Sequence, residues 1–198
     1  NGKIVKDKSL NVEGEHLPNV LNARDFVGWY NSFPDHKSVH IGNHQNAVII
    51  GNGNVALDCA RILSADISVL EKTDISIQAL QKLKNSSIKN IYIVGRNGPL
   101  ESKFTNKELR EMTNIKNSVI HVNDKLQKNL PKNFSVLEQR IITKKIQIFR
   151  KMAKDFSRKD NYSDLNKIID FYFWTKPLKF VSLNDNLVRV YLDRKFFI

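Results

Sequence analysis

The run Gly51-Asn52-Gly53-Asn54-Val55-Ala56 has the residue types and spacing to grip a phosphate. Gly51 permits a sharp exit from the apolar stretch Ala47-Val48-Ile49-Ile50. Gly53 lets the backbone approach a pyrophosphate closely, and Ala56 is small enough for a following helix to pack on a sheet. The preceding stretch reads as a fully buried strand. Residues 55–63 have helical spacing, with Val55, Cys59 and Ile62 on one face. A pyrophosphate would meet free backbone N–H groups at the positive end of that helix. The strand–turn–helix setting is what separates a dinucleotide grip from a plain glycine turn.

The next choice is between a ribose 2′-hydroxyl and a 2′-phosphate. An acid ~20 residues on, at the end of the second strand, would favour the hydroxyl. Glu71 and Asp74 have nearly that spacing but lie between two helices. Arg96 is the residue that follows the second strand, in Val94-Gly95-Arg96-Asn97-Gly98-Pro99. Its forked donors suit a dianionic phosphate, which favours NADP, and Lys103 adds a point charge.

Several elements must position these residues. Residues 1–22 read as a lead-in with little regular structure, and Asn22 caps a helix over 23–31. Residues 32–45, with His36, His40 and His44, read as a loop. Their irregular spacing with no neighbouring Cys argues against a metal site. A second helix starts at an Asp74 cap and carries Ile77, Leu80 and Leu83. Residues 88–94 give another buried strand, and Thr105-Asn106-Lys107-Glu108 has the spacing of a capping box. A long helix over 134–156 carries Ile142, Ile146, Phe149 and Phe156. Strands over 171–183 and 187–192 flank Asn184-Asp185-Asn186, a hairpin signal. The fold class expected is α/β, a Rossmann-like three-layer domain with a parallel central sheet and a C-terminal antiparallel hairpin. The 198 residues suffice for one such domain, taken as residues 1–198.

Hydrophobic content of 41% and charged content of 26% are ordinary for a globular protein. No apolar run approaches the roughly 20 residues of a membrane-spanning helix. A net charge of +12 calls for an acidic partner or reflects a drift towards Lys in an AT-rich genome. No nucleic-acid recognition motif accompanies the charge. Cys59 is the only cysteine, which excludes an internal disulfide and a CxxC pair. The chain lacks an initiator Met and ends in Phe196-Phe197-Ile198, so it is expected to be a piece of a longer polypeptide.

Ordered runs through the first half resemble a known family. They are Asn19-Val20, Phe26-Val27-Gly28-Trp29-Tyr30-Asn31, Gly53-Asn54-Val55-Ala56-Leu57-Asp58, Ala60-Arg61-Ile62-Leu63, Val94-Gly95-Arg96, Gly98-Pro99-Leu100 and Lys107-Glu108-Leu109-Arg110-Glu111-Met112. In this order they resemble adrenodoxin reductase, the mitochondrial-type ferredoxin–NADP reductase of the glutathione-reductase structural class. The resemblance is dense from about residue 11 to 112 and thin afterwards. It implies a flavoprotein that passes hydride from NADPH to FAD and then electrons to an acidic ferredoxin-type iron–sulfur protein. It matches only the NADP domain inserted within the FAD domain, so the chain alone is expected to bind NADP(H) without turning it over. A mitochondrial location is likewise implied.

Residue by residue, Gly53, Asn54 and Val55 match the family's pyrophosphate turn, beside Gly51 and Asn52. Arg96 matches the first of two arginines on the 2′-phosphate, and Asn97 replaces the second. Glu108 matches an acid that contacts the nucleotide, although it is also the third residue of the capping box. Asp58 matches an acid near the flavin and nicotinamide, a tentative catalytic or positioning residue. Its alternative is to complement the helix dipole from the first turn. Trp29 and Tyr30 are expected at the junction between domains. The long helix bears Arg140, Lys144, Lys145, Arg150, Lys151, Lys154 and Arg158, and the resemblance assigns basic residues in this region to ferredoxin docking. A non-catalytic nucleotide- or anion-binding module, or the NADP domain of another flavoprotein of this class, is the alternative function.

Overall fold

Four β-branched runs form one parallel sheet in the computed structural model, which describes residues 9–34, 39, 41, 44–122, 135–157, 167–184 and 187–193. They are β1 (Asn46–Ile50), β2 (Asn90–Val94), β3 (Ser118–Val122) and β4 (Lys167–Tyr172), in the order β1-β2-β4-β3. Parallel neighbours need crossovers, and helices supply them. After α1 (Ala23–Tyr30) and β1 come α2 (Asn54–Ser64), α3 (Ile67–Leu70) and α4 (Ile77–Lys84). Helix α5 (Asn106–Met112) joins β2 to β3, and α6 (Val136–Ser157) joins β3 to β4. The antiparallel hairpin of β5 (Pro177–Asn184) and β6 (Leu187–Leu192) follows, with Phe180 opposite Val190. The expected α/β architecture is therefore present, and its hairpin turn at 185–186 lies outside the described residues.

The core forms where one face of the sheet meets the helices. Ile91, Ile93, Ile169 and Phe171 are buried there with Leu109, Met112 and Phe149. Ala56 and Ala60 let α2 lie close to the sheet, and Ala60 is fully buried. The buried stripe of α2 is Ala56, Leu57, Cys59, Ala60 and Leu63, whereas Val55 is 49% exposed. The expected face of Val55, Cys59 and Ile62 thus holds only in part. Burial pushes the Cys59 thiol up to about 12, so it stays protonated at neutral pH.

Some expectations change. Strand β2 is buried as expected, but β1 is an edge strand of the sheet and Val48 is exposed. A hollow of about 470 Å³ lies against β1, lined by Val48, Ile50, Phe180, Val188 and Val190 among others. Helix α4 is capped by Ser76 rather than Asp74: Ser76 Oγ accepts from Ala79 N at 3.0 Å. Ser76 also donates its amide to Tyr30 O and its hydroxyl to Trp29 O, and those two bonds decide the position. Ile77 is exposed, and Ala79 and Leu83 are the buried residues of α4. Trp29 is 4% exposed within this unit's own core, packed on Phe26. The single strand expected over 171–183 is broken at 173–176, because β4 belongs to the parallel sheet and β5 to the hairpin. The lead-in docks on β5 through Phe180 N to Glu13 O, where Gly14 at φ +79° passes against the Phe180 backbone.

Among the described residues no helix is long and apolar enough to cross a membrane. Nor does any group of three or more His, Cys, Asp or Glu there suit a metal ion. His36 and His40 lie outside the described residues.

Candidate functional site: the β1–α2 turn and the loop after β2

The turn is built from backbone. Gly51 has φ +148°, a conformation that favours glycine, and its N–H donates to Val94 O at 2.8 Å. Gly53 caps α2 in an extended conformation (φ −130°, ψ 175°) with no side chain over the helix end. A Cβ built on Gly53 would meet nothing within 4 Å. The space above this helix end is therefore open to a ligand. Ala56 N and Leu57 N both reach Gly53 O, whereas the N–H groups of Asn54 and Val55 find no acceptor among the described residues. An anion would satisfy them and would also meet the positive end of the helix dipole.

The two asparagines of the turn, Asn52 and Asn54, have tasks that the glycine spacing alone did not disclose. Asn52 Nδ2 donates to Asn97 O at 3.1 Å, and Asn52 O accepts from Lys103 N at 2.8 Å. The Asn52 amide lies where a Cβ on Gly95 would sit, 2.4 Å away. Asn54 Oδ1 accepts from Thr105 N at 2.9 Å. The turn is thus bonded to the loop after β2 and to the start of α5.

That loop presents Arg96 and Asn97 to solvent and buries Gly98, Pro99 and Leu100. Its rear is held by the segment after β4: Thr175 N donates to Gly95 O and Trp174 N to Asn97 O. The Trp174 ring fills the place of a side chain on Gly98, 2.6 Å from a Cβ there. Arg96 and Lys103 are both exposed cations beside the turn. Glu71 and Asp74 remain in the connection between α3 and α4, away from the end of β2.

Glu108 makes half of the expected capping box. Its N–H donates to Thr105 Oγ1 at 3.2 Å, one cap arm stabilising α5 by about 1 kcal/mol. The reciprocal arm is absent, because the Thr105 N–H is taken by Asn54. The Glu108 carboxylate consequently has no partner among the described residues. Asp58 lies in the second turn of α2, not the first, so the helix-dipole role falls away. It pairs with Arg61 at 2.6 Å, and Arg61 reaches Glu111 at 2.8 Å, all three half-buried. This chain of charges ties α2 to α5.

On α6, Arg140, Lys144, Arg150, Lys151 and Lys154 are exposed as expected. Lys145 is not. It is 6% exposed, donates to Ser102 O at 2.7 Å and lies 5.3 Å from the Phe104 ring centre. Burial lowers its pKa, opposed by the charge of Glu101. It shares the helix face of Ile142 and Phe149, which removes it from any docking surface. Arg158 lies outside the described residues.

No family model matches the chain. It is 35% identical over 181 residues to the mitochondrial NADPH:adrenodoxin oxidoreductase of Arabidopsis thaliana, covering 90% of this chain and 38% of that relative. To NADPH-ferredoxin reductase FprA of Mycobacterium tuberculosis it is 50% identical over 110 residues, 55% of this chain and 24% of FprA. The solved structure of that FprA in complex with NADPH superposes at a TM-score of 0.78, with 32% identity over 94% of this chain and 44% of the FprA chain. The chain matches an adrenodoxin-reductase-type NADP-binding domain. It spans less than half the length of each of these relatives. Relatives of this type include proteins named as mitochondrial and proteins from bacteria. Their names refer to adrenodoxin in the one case and ferredoxin in the other.

Proposed function

We propose that residues 1–198 are the NADP(H)-binding domain of an FAD-dependent ferredoxin- or adrenodoxin–NADP reductase. The observation that carries this is the open helix end at Gly53 with Arg96 beside it, on a fold that superposes on an NADPH complex. The residues present fit the nucleotide. Gly51, Asn52, Gly53, Asn54 and Val55 would form the pyrophosphate turn, with the open backbone N–H groups of Asn54 and Val55 donating to it. Arg96 would hold the 2′-phosphate with its forked donors, with Asn97 as a neutral neighbour and Lys103 as a second charge. The freed Glu108 carboxylate would accept from a nucleotide hydroxyl.

NADPH, when bound, would supply hydride for the FAD of the whole reductase, and these residues would hold the nucleotide alone. This chain's contribution is to bind and orient the nucleotide. Asp58 would act as a positioning residue through Arg61 and Glu111, orienting α2 against α5. The exposed Arg140 and Lys144, flanked by the exposed apolar Leu137 and Ile141, would dock an acidic iron–sulfur protein. Complementary charge there would speed encounter and weaken binding as salt rises. The mitochondrial names among the relatives support a mitochondrial location.

The test is a titration of the intact protein with 2′,5′-ADP and 5′-AMP. We expect tighter binding of 2′,5′-ADP, by about tenfold or more for a charge-assisted phosphate contact. Equal affinity would remove the 2′-phosphate assignment, and no binding of either would leave a structural turn. Reversing the charge of Arg140 and Lys144 together should slow reduction of the iron–sulfur partner most at low salt. Unchanged rates would remove the docking assignment.

A further inference from the structure

Lys145 poses a physical question that nucleotide binding by the turn does not answer. A buried ammonium is costly unless it is hydrogen-bonded, and an apolar side chain of similar length would fill the same space. Its described acceptor belongs not to α6 but to the loop after β2, at Ser102 O. Ser102 in turn donates its hydroxyl to Pro99 O at 2.5 Å. The next residue, Lys103, donates its N–H to Asn52 O in the phosphate turn. Two residues further on, Thr105 N meets Asn54. Helix α6 touches the same region a second time, where Asn106 Nδ2 donates to Ile141 O at 2.9 Å. The ammonium also lies near the Phe104 ring, whose face is attractive to a cation. The cost of burying this charge is offset only while residues 99–103 stay folded against the turn.

We infer that Lys145 is a positioning residue for nucleotide selectivity: by fixing Ser102 O it holds the loop bearing Arg96 and Lys103 over the phosphate turn. This rests on the nucleotide-binding reading above. The 5′-phosphate is taken by backbone groups of α2, which Lys145 does not touch. The 2′-phosphate depends on loop side chains, which it does. Loss of Lys145 therefore acts on selectivity more than on binding as such.

The experiment compares wild-type, Lys145→Met and Lys145→Arg forms of the intact protein, titrated with 2′,5′-ADP and 5′-AMP. Met keeps the apolar stem and removes the donor; Arg keeps a charged donor. We expect Lys145→Met to lower the preference for 2′,5′-ADP by about tenfold, with 5′-AMP affinity changed by less than about twofold. Lys145→Arg should recover most of the preference. A folded Lys145→Met form with wild-type preference overturns the inference alone. Wild-type protein with no preference overturns the nucleotide reading and this inference together. An equal loss for both ligands also overturns it, since that is what general loosening would give. A further measurement needs no variant: the Lys103 amide of the wild-type protein should exchange slowly with solvent deuterium. An unprotected amide there overturns the link between loop and turn.

Discussion

The two halves of the site are built on opposite plans. The β1–α2 turn works with backbone: two glycines, a bare helix end and open space above Gly53. The loop after β2 offers side chains, Arg96 and Lys103, and its main supports come from distant parts of the chain. Asn52 supports it from below, Trp174 fills the space at Gly98, and Lys145 holds it from α6. Backbone recognition is stiff and indifferent to the details of the ribose. Side-chain recognition can discriminate, but it needs scaffolding from distant parts of the chain.

Substitutions at matched glycines break this comparison most sharply. Gly53→Ala adds a Cβ to open space in a backbone conformation that alanine tolerates, so the fold should be unchanged. Nucleotide affinity should nonetheless fall about 100-fold for 2′,5′-ADP and 5′-AMP alike, or ~2.7 kcal/mol, as calorimetry would show. Gly98→Ala does the reverse. Its Cβ collides with the Trp174 ring, and overpacking of this kind costs about 2 kcal/mol, visible as a lower Tm. A Tm loss at Gly53 with none at Gly98 would contradict the division.

Smaller effects sharpen the picture. Arg96→Gln should weaken 2′,5′-ADP by about tenfold while sparing 5′-AMP. An equal loss for both would place Arg96 elsewhere on the nucleotide. Asn97→Arg, which restores the second guanidinium of the family pattern, should strengthen 2′,5′-ADP by about threefold, less than a buried contact because the position is exposed. Its gain should shrink as salt rises.

The same division explains what could be read from the sequence. The turn was legible because glycine spacing, strand and helix are all local properties. Arg96 was legible because it follows a strand directly. The edge position of β1 was not, since an apolar run does not reveal how many partners a strand has. Asp74 and Ser76 are both good cap formers, and only bonds to Trp29 O and Tyr30 O choose between them. The break at 173–176 follows from pairing two parts of one apolar stretch with different sheets. Lys145 was within reach: it lies three residues after Ile142 and four before Phe149, on the buried stripe. Its charge, grouped with that of Lys144, masked the helical spacing.

The placing of Trp174 has one more consequence. The chain has two tryptophans. Trp29 is sealed in the core. Trp174 lies against Gly98, two residues beyond Arg96, with its amide on Asn97 O. A Trp29→Phe form would leave one emitter, seated on the loop proposed to tell apart two cofactors differing by a single phosphate. The protein would then carry its own optical gauge of that choice, with no dye to attach and no electron to transfer.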